Sequence, residues 1–203
     1  MKSVYSLVLS DEVVRAVDNA AYLKGVSRSH LINEILAEHL ACTTPHMRMQ
    51  SLFSALESMF QDTALRLTGR SAGAIDLQSA ITYRYNPSVR FALVLYERGE
   101  DLGELRVSLR TQNEGLLNHF ARFFLWFDGE EKKQGDITSS IEEGRYVRVL
   151  PYPVGDTQAV SEKLSAYVKG IKALLDVYFS AEARGENGLL AAKSVKGAYI
   201  RPW

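Results

Sequence analysis

Hydrophobic and polar residues alternate near the start of the chain, from residue 4 to residue 9. The two faces of this segment are Tyr5, Leu7 and Leu9 on one side and Val4, Ser6 and Val8 on the other. A period of two residues is typical of a β-strand that is buried on one side only. The pattern therefore predicts a short strand over residues 4 to 9.

Helical spacing replaces this alternation after residue 10 and predicts two amphipathic helices. Ser10 is a favourable N-cap for the first helix, and two acidic residues follow it where the helix dipole favours negative charge. Gly25 stands at the expected left-handed position after the first helix, and Ser27 or Ser29 is expected to cap the second. The second helix should end before Pro45. The predicted apolar positions are Val13, Val14, Val17, Ala20, Ala21, Leu23, Leu31, Ile32, Ile35, Leu36 and Leu40.

A lone strand at this place in the chain cannot satisfy its own backbone N–H and C=O groups. Its partner is therefore expected to be the same strand of a second copy, so that two chains form a two-stranded ribbon covered by four helices. A ribbon of this size fits the major groove of DNA. The segment predicts a homodimer with double-stranded DNA as its partner.

The order of these features over residues 2 to about 42 resembles the ribbon-helix-helix DNA-binding regulators, the group of Arc, MetJ and CopG-like repressors. The resemblance is carried by the strand ending at Leu9-Ser10, the acidic helix start, and the turn Gly25-Val26-Ser27-Arg28-Ser29. It implies a sequence-specific transcriptional regulator, a repressor, that acts as a dimer. The DNA-binding residues that it implies are Lys2, Val4, Ser6 and Val8 for the bases and Ser27, Arg28 and Ser29 for a phosphate.

Two features of the segment depart from the family pattern. Val4 and Val8 can contact a thymine methyl group, but they cannot hydrogen-bond to a base edge. Residues 1 to 44 carry four basic and five acidic side chains, a formal charge of −1. Because phosphate contacts dominate affinity for DNA, binding should be weak, with a shallow dependence on salt. A module that dimerises without binding DNA is the alternative.

Composition is that of an ordinary globular protein. Of the 203 residues 46% are hydrophobic, and 24 basic side chains balance 24 acidic ones. Cys42 is the single cysteine, which excludes an intramolecular disulfide and fits a reducing compartment. Since neither a secretory signal nor a membrane span is recognisable, a cytoplasmic location without membrane contact is expected. We expect two domains, the DNA-binding and dimerisation module over 1–44 and a regulatory or oligomerisation domain over 45–203.

The second domain is predicted to be an α+β domain with an antiparallel sheet, in the order α-βββ-α-ββ-α. The predicted elements are a helix over 47–61, strands over 81–85, 89–96 and 105–110, a helix over 116–127, strands over 137–141 and 146–150, and a long helix from Asp156 or Thr157. Residues 68–74 and 128–136 are predicted to be loops, and a docked tail is predicted from Gly185 onward. This domain is expected to oligomerise or to bind a small-molecule or protein effector.

Motifs for catalysis or metal binding are weak, so we expect a protein that is not an enzyme, with no catalytic residues, no cofactor and no metal site. The glycine-bearing segment 69–73 lacks the Lys-Ser/Thr ending of a phosphate-binding loop. His39, Cys42 and His46 have ligand-like spacing, but a proline interrupts the helix before His46 and no fourth ligand is evident. His119 is expected to be a hydrogen-bonded core residue. The aromatic residues around it are expected in the core, a dimer interface or an effector pocket: Phe120, Phe123, Phe124, Trp126 and Phe127.

The sequence also allows two other functions. One is an antitoxin or adaptor that uses the ribbon-helix-helix to dimerise and its second domain to hold a protein. The other is an accessory factor in plasmid or phage DNA processing, which the sequence does not distinguish from a repressor.

Overall fold

The computed structural model describes residues 6–61, 63–97, 99–142 and 144–199, and this part of the chain contains six helices and six strands. The helices are α1 Asp11–Lys24, α2 Arg28–His39, α3 Pro45–Phe60, α4 Glu114–Lys132, α5 Thr157–Ala183 and α6 Gly188–Tyr199. The strands are β1 Arg66–Arg70, β2 Ala74–Ala80, β3 Ser88–Leu95, β4 Asp101–Leu109, β5 Ser139–Glu142 and β6 Arg145–Pro151. The chain divides into two compact units, up to Met47 and from Arg48.

The first element of the described chain is a helix, and residues 6–10 belong to no strand. Lys2, Val4 and Tyr5 lie outside the described residues. The six-stranded sheet of the second unit does not include residues 6–9. A strand is defined by its hydrogen-bonded neighbour, and the neighbour expected from the sequence belongs to a second copy of the chain. The N-terminal strand therefore stays a prediction.

The helices α1 and α2 enclose a very small core. Its buried residues are Val17, Ala21 and Leu31, and Ala20, Val26 and Ile32 pack against them. The unit extends to Met47 and is therefore only slightly larger than the size of about 40 residues below which domains usually need a disulfide, a metal or oligomerisation. A further interaction would add to the stability of so small a unit.

The second unit is built on one antiparallel sheet with the strand order β1-β2-β3-β4-β6-β5. Alternate residues of its central strands are fully buried, as in Val89, Phe91 and Leu93 of β3. The residues between them, such as Arg90 and Arg106, are exposed. Burial of every second residue places the core on one face of the sheet and water on the other. This arrangement confirms the predicted α+β class with an antiparallel sheet.

Helices α3, α4 and α5 contribute the other half of that core. The predicted long helix is α5, and the apolar residues on its buried side follow the helical period: Val160, Leu164, Tyr167, Val168, Ile171, Leu174, Leu175 and Tyr178. Asp156 is the N-cap, since its side chain accepts a hydrogen bond of 2.9 Å from the N–H of Ala159. No helix in the described ranges is both long enough and apolar enough to cross a bilayer.

The predicted strand order is wrong at its beginning, where four strands replace three. Residues 81–85 form the connection between β2 and β3, and Tyr85 and Asn86 both have positive φ angles that end an extended segment. Residues 68–74, predicted to be a loop, contain the end of β1 and the turn into β2. The alternation of buried Ile75 and Leu77 with partly or fully exposed Asp76 and Gln78 marks β2 as a half-buried strand.

Two helices differ from their predicted extents. The helix α4 continues to Lys132 through the segment predicted to be a charged loop, because Asp128 and Glu131 are buried on its inner side. The tail predicted from Gly185 forms α6, whose Ala192 is fully buried. The observed order after α3 is therefore ββββ-α-ββ-α-α.

Candidate functional site

The turn between α1 and α2 has the geometry predicted from its sequence. Gly25 adopts the left-handed conformation, with φ 64° and ψ 28°, and its N–H bonds to the end of α1. Glycine enters this region without the steric cost that a β-carbon brings. Ser10 occupies the N-cap position of α1, but its side chain makes no capping hydrogen bond. The turn brings the start of α2 beside α1.

The start of α2 offers backbone N–H groups to an anion. The Ser27 hydroxyl accepts a hydrogen bond of 3.2 Å from the N–H of His30 and so caps the helix. The preceding N–H groups of Arg28 and Ser29 have no acceptor within the helix, since the first turn lacks a turn before it. Such groups, together with the positive end of the helix dipole, favour phosphate. The predicted phosphate-binding residues are adjacent and exposed.

The Arg28 side chain is paired with a carboxylate of its own chain. Its Nη2 donates to Oδ2 of Asp18 at 2.7 Å, and its Nε donates to the other carboxylate oxygen. Both side chains are largely exposed. An exposed pair of this kind stabilises the fold by only about 0.2–1 kcal/mol, so Arg28 can leave it at low cost. Sequence reasoning missed this competing partner, which lies ten residues away.

The described residues of the predicted base-reading face point into solvent. Val8 is fully exposed and Ser6 is exposed, whereas Lys2 and Val4 lie outside the described residues. The opposite face and the two helices also leave apolar side chains uncovered. Six of them are between 39% and 65% exposed: Leu7, Leu9, Val13, Ile35, Leu36 and Leu40. These six residues are called here the N-terminal apolar face.

The second unit contains a buried polar cluster that sequence reasoning missed. Oε2 of Glu131 accepts hydrogen bonds from the hydroxyls of Tyr167 at 2.7 Å and Tyr146 at 3.2 Å, and it lies 3.3 Å from Nε of Arg148. Burial raises the pKa of Glu131, whereas the Arg148 charge opposes that rise. Burial, followed by the Glu131 charge, raises the pKa of both tyrosines. The signal in the sequence was a charged residue between Tyr146 and Leu150 on the buried face of β6.

The described part of the second unit contains a small and a larger cavity. One of about 80 Å³ touches Glu131 and Arg148, and this volume is below the few hundred Å³ of an organic ligand pocket. The other, of about 690 Å³, runs along α5 and α6, and its lining includes Ala166, Ala173 and Tyr199. The second cavity is large enough for a small organic molecule.

The aromatic residues of α4 belong to the core. Phe120, Phe123, Phe124 and Phe127 are at most 1% exposed, and neither cavity is lined by them. Nδ1 of His119 lies 3.3 Å from the hydroxyl of Tyr178, as expected of a hydrogen-bonded histidine.

The structure separates the histidines that share ligand-like spacing in the sequence. His39 and Cys42 are exposed, and the chain turns at Ala41, which has a φ of 52°. His46 lies instead beside His30, with ring centroids 4.8 Å apart. Glu34 lies one turn after His30 on α2. Pairs with this spacing are common on helices, so the pair alone does not indicate a metal site.

Comparisons of the chain with protein-family models, with curated proteins and with solved structures gave no match.

Proposed function

We propose that this protein is a DNA-binding transcriptional regulator, a repressor, that acts in the cytoplasm as a homodimer. In the proposed dimer the N-terminal strands of two chains form a ribbon that enters the major groove. The single observation that carries the proposal is the N-terminal apolar face, which leaves uncovered the side chains that a ribbon-helix-helix dimer buries.

A second copy of the chain is favoured by the small core of the N-terminal unit and by the apolar surface that this unit leaves exposed. The core cluster of the N-terminal unit has three buried residues, whereas the six side chains of the N-terminal apolar face are between 39% and 65% exposed. Burying a leucine or isoleucine side chain contributes roughly 1.5–3 kcal/mol, so pairing two such faces supplies a stabilisation that the isolated unit lacks. Leu7 and Leu9 belong to the same face of the predicted strand, which makes a strand-to-strand dimer the economical way to cover them.

Contacts to DNA are proposed from both ends of this unit. Ser6 and Val8 would face bases from the ribbon, and the N–H groups of Arg28 and Ser29 would hold a phosphate. The pairing of Arg28 with Asp18 lowers the positive charge that meets the DNA. The formal charge of −1 over residues 1–44 acts in the same direction, so the affinity for DNA should be modest. Sequence specificity would then depend on the few base contacts of the ribbon.

The test is a mobility-shift titration of the full chain on the DNA upstream of its own gene, at several salt concentrations. We expect Arg28→Ala to weaken binding and to reduce the salt slope by about 0.9 for each phosphate that is no longer neutralised, close to 2 for a dimer. Asp18→Asn should strengthen binding, because it releases Arg28 without removing a positive charge. Arg184→Ala is the matched control, since Arg184 is also an exposed arginine paired with a carboxylate, in the second unit.

Three outcomes contradict the proposal. One is a dimer without salt-sensitive binding to any duplex, which is the behaviour of an antitoxin or adaptor that uses the unit only to dimerise. Another is equal loss of binding in Arg28→Ala and Arg184→Ala. In the third outcome, Asp18→Asn binds DNA no more tightly than the wild type and Arg28→Ala binds it no more weakly.

A further inference from the structure

Two histidines and a glutamate of the N-terminal unit converge on one point. One nitrogen of His30, one nitrogen of His46 and one carboxylate oxygen of Glu34 all lie within 4.8 Å of one another. We propose that His30, Glu34 and His46 bind one divalent transition-metal ion of the Zn²⁺ class. This proposal does not depend on DNA binding.

The local backbone holds these three groups in place. His30 and Glu34 are four residues apart on α2, so their side chains lie on one face in consecutive turns. His46 is in the first turn of α3, whose start is fixed by a hydrogen bond of 3.1 Å from the N–H of Met47 to Oγ1 of Thr44. Ser27 caps the start of α2 in the same way. A capping side chain therefore fixes the first turn of each of the two helices that carry the proposed ligands.

The distances are close to those of a metal site. Zinc binds imidazole nitrogen and carboxylate oxygen at about 2.0–2.2 Å, which places tetrahedral ligand atoms about 3.3 Å apart. Nε2 of His30 is 3.2 Å from Oε1 of Glu34, so this pair already has the required separation. The His46 ring stands nearly perpendicular to the His30 ring, at 82°, and one of its nitrogens lies within 4.8 Å of the other two ligand atoms.

One positive charge lies close to the proposed site. Nζ of Lys24 is 3.7 Å from Oε2 of Glu34, whereas Nε2 of His30 is next to Oε1, so a bound ion would share the Glu34 carboxylate with Lys24. All three ligand residues are partly buried, which lowers the competition from water compared with a fully exposed cluster. Two nitrogens and one oxygen suit a borderline ion such as Zn²⁺, Co²⁺ or Ni²⁺, with the remaining position open to water.

A metal at this site would add to the stability of the N-terminal unit, whose core cluster consists of Val17, Ala21 and Leu31. It would join the first turn of α3 to α2. Because the folded unit assembles the three ligands, the free energy of binding adds to the free energy of folding.

The experiment is a titration of the metal-free full-length chain with Co²⁺, followed by visible absorption, and displacement of Co²⁺ by Zn²⁺. We expect one ion per chain, and a rise in the midpoint of thermal unfolding when Zn²⁺ is present. His30→Gln, Glu34→Gln and His46→Gln should each weaken binding by about tenfold or more and remove the rise. Glutamine is a good helix former, so circular dichroism should show that each variant keeps its helices.

His39→Gln and Cys42→Ser are the matched controls, because they test the ligand set suggested by sequence spacing alone. Both should bind the ion like the wild type, without a thiolate-to-cobalt charge-transfer band. The proposal is overturned if the wild type binds no ion at micromolar concentration. It is also overturned if His30→Gln and Glu34→Gln retain full affinity, or if Cys42→Ser abolishes binding.

Discussion

Glu130 joins two helices through two lysines. Its Oε1 accepts a hydrogen bond of 2.8 Å from Lys133 on the same helical turn, and its Oε2 pairs with Lys196 of α6. These two contacts lower the pKa of Glu130 from 4.5 to about 2. A carboxyl with a lowered pKa stabilises the folded state above the pKa of the unfolded chain, near 4.5, and this contribution is lost as pH falls toward 2.

We therefore predict that Glu130→Gln costs about 1 kcal/mol of unfolding free energy above pH 5, since both lysines are partly exposed and solvent screens the pairs. The difference between wild type and variant should shrink between pH 4.5 and pH 2. Urea unfolding at several pH values measures it. Glu100→Gln, at an exposed glutamate in the turn before β4, is the control for the substitution itself. A difference that stays constant with pH contradicts the prediction.

The helix α4 and the strand β4 differ in whether a glycine can be replaced by a larger residue, as Gly129 and Gly103 show. Gly129 lies inside α4, and a β-carbon added there meets no atom within 4 Å. Gly103 lies at an irregularity in the pairing of β4 with β6, with a φ of 158°, and an added β-carbon would lie 2.0 Å from the carbonyl oxygen of Val94. Alanine in place of Gly129 raises the helix propensity of α4 without a clash. A side chain in place of Gly103 would clash with the backbone of the neighbouring strand β3.

Accordingly, Gly129→Ala should raise the free energy of unfolding by about 0.5–1 kcal/mol, the difference in helix propensity between the two residues. Gly103→Ala should lower it by at least about 2 kcal/mol, because the close contact and the unfavourable φ act together. Denaturant unfolding of the two variants beside the wild type provides the measurement. Stabilisation by both substitutions would show that β4 does not hold this register.

At the scale of the whole molecule the decisive property is the number of chains. Leu7 and Val8 are neighbours on opposite faces of the predicted strand, and both side chains are exposed in the single chain. In the proposed dimer, Leu7 becomes buried against the partner, whereas Val8 faces DNA.

We predict that Leu7→Glu converts a dimer of the 22.7 kDa chain into a monomer, because burying an unpaired carboxylate costs several kcal/mol. Val8→Glu, with the same change of charge one residue away, should remain a dimer and lose DNA binding. Sedimentation velocity at micromolar concentration distinguishes these states. A monomeric wild type, or two variants with the same mass, would refute the proposed ribbon.

The sequence by itself determined the features that depend on neighbouring residues. Gly25 and Ser27 fixed where α1 ends and α2 begins, because a left-handed glycine and a capping hydroxyl act within one turn. The buried side of α5 followed from its apolar period. The class of the second domain followed in the same way from the order of its helices and strands, although the pairing of β1 with β2 did not.

Only the tertiary structure decided which distant residues meet. It placed Glu131 of α4 against Arg148 of β6, and it brought His46 to His30 and Glu34 rather than to Cys42. It also paired Arg28 with Asp18 across the α1–α2 turn. Such contacts arise from how helices and strands pack, and packing joins residues whose separation along the chain leaves no local pattern to interpret.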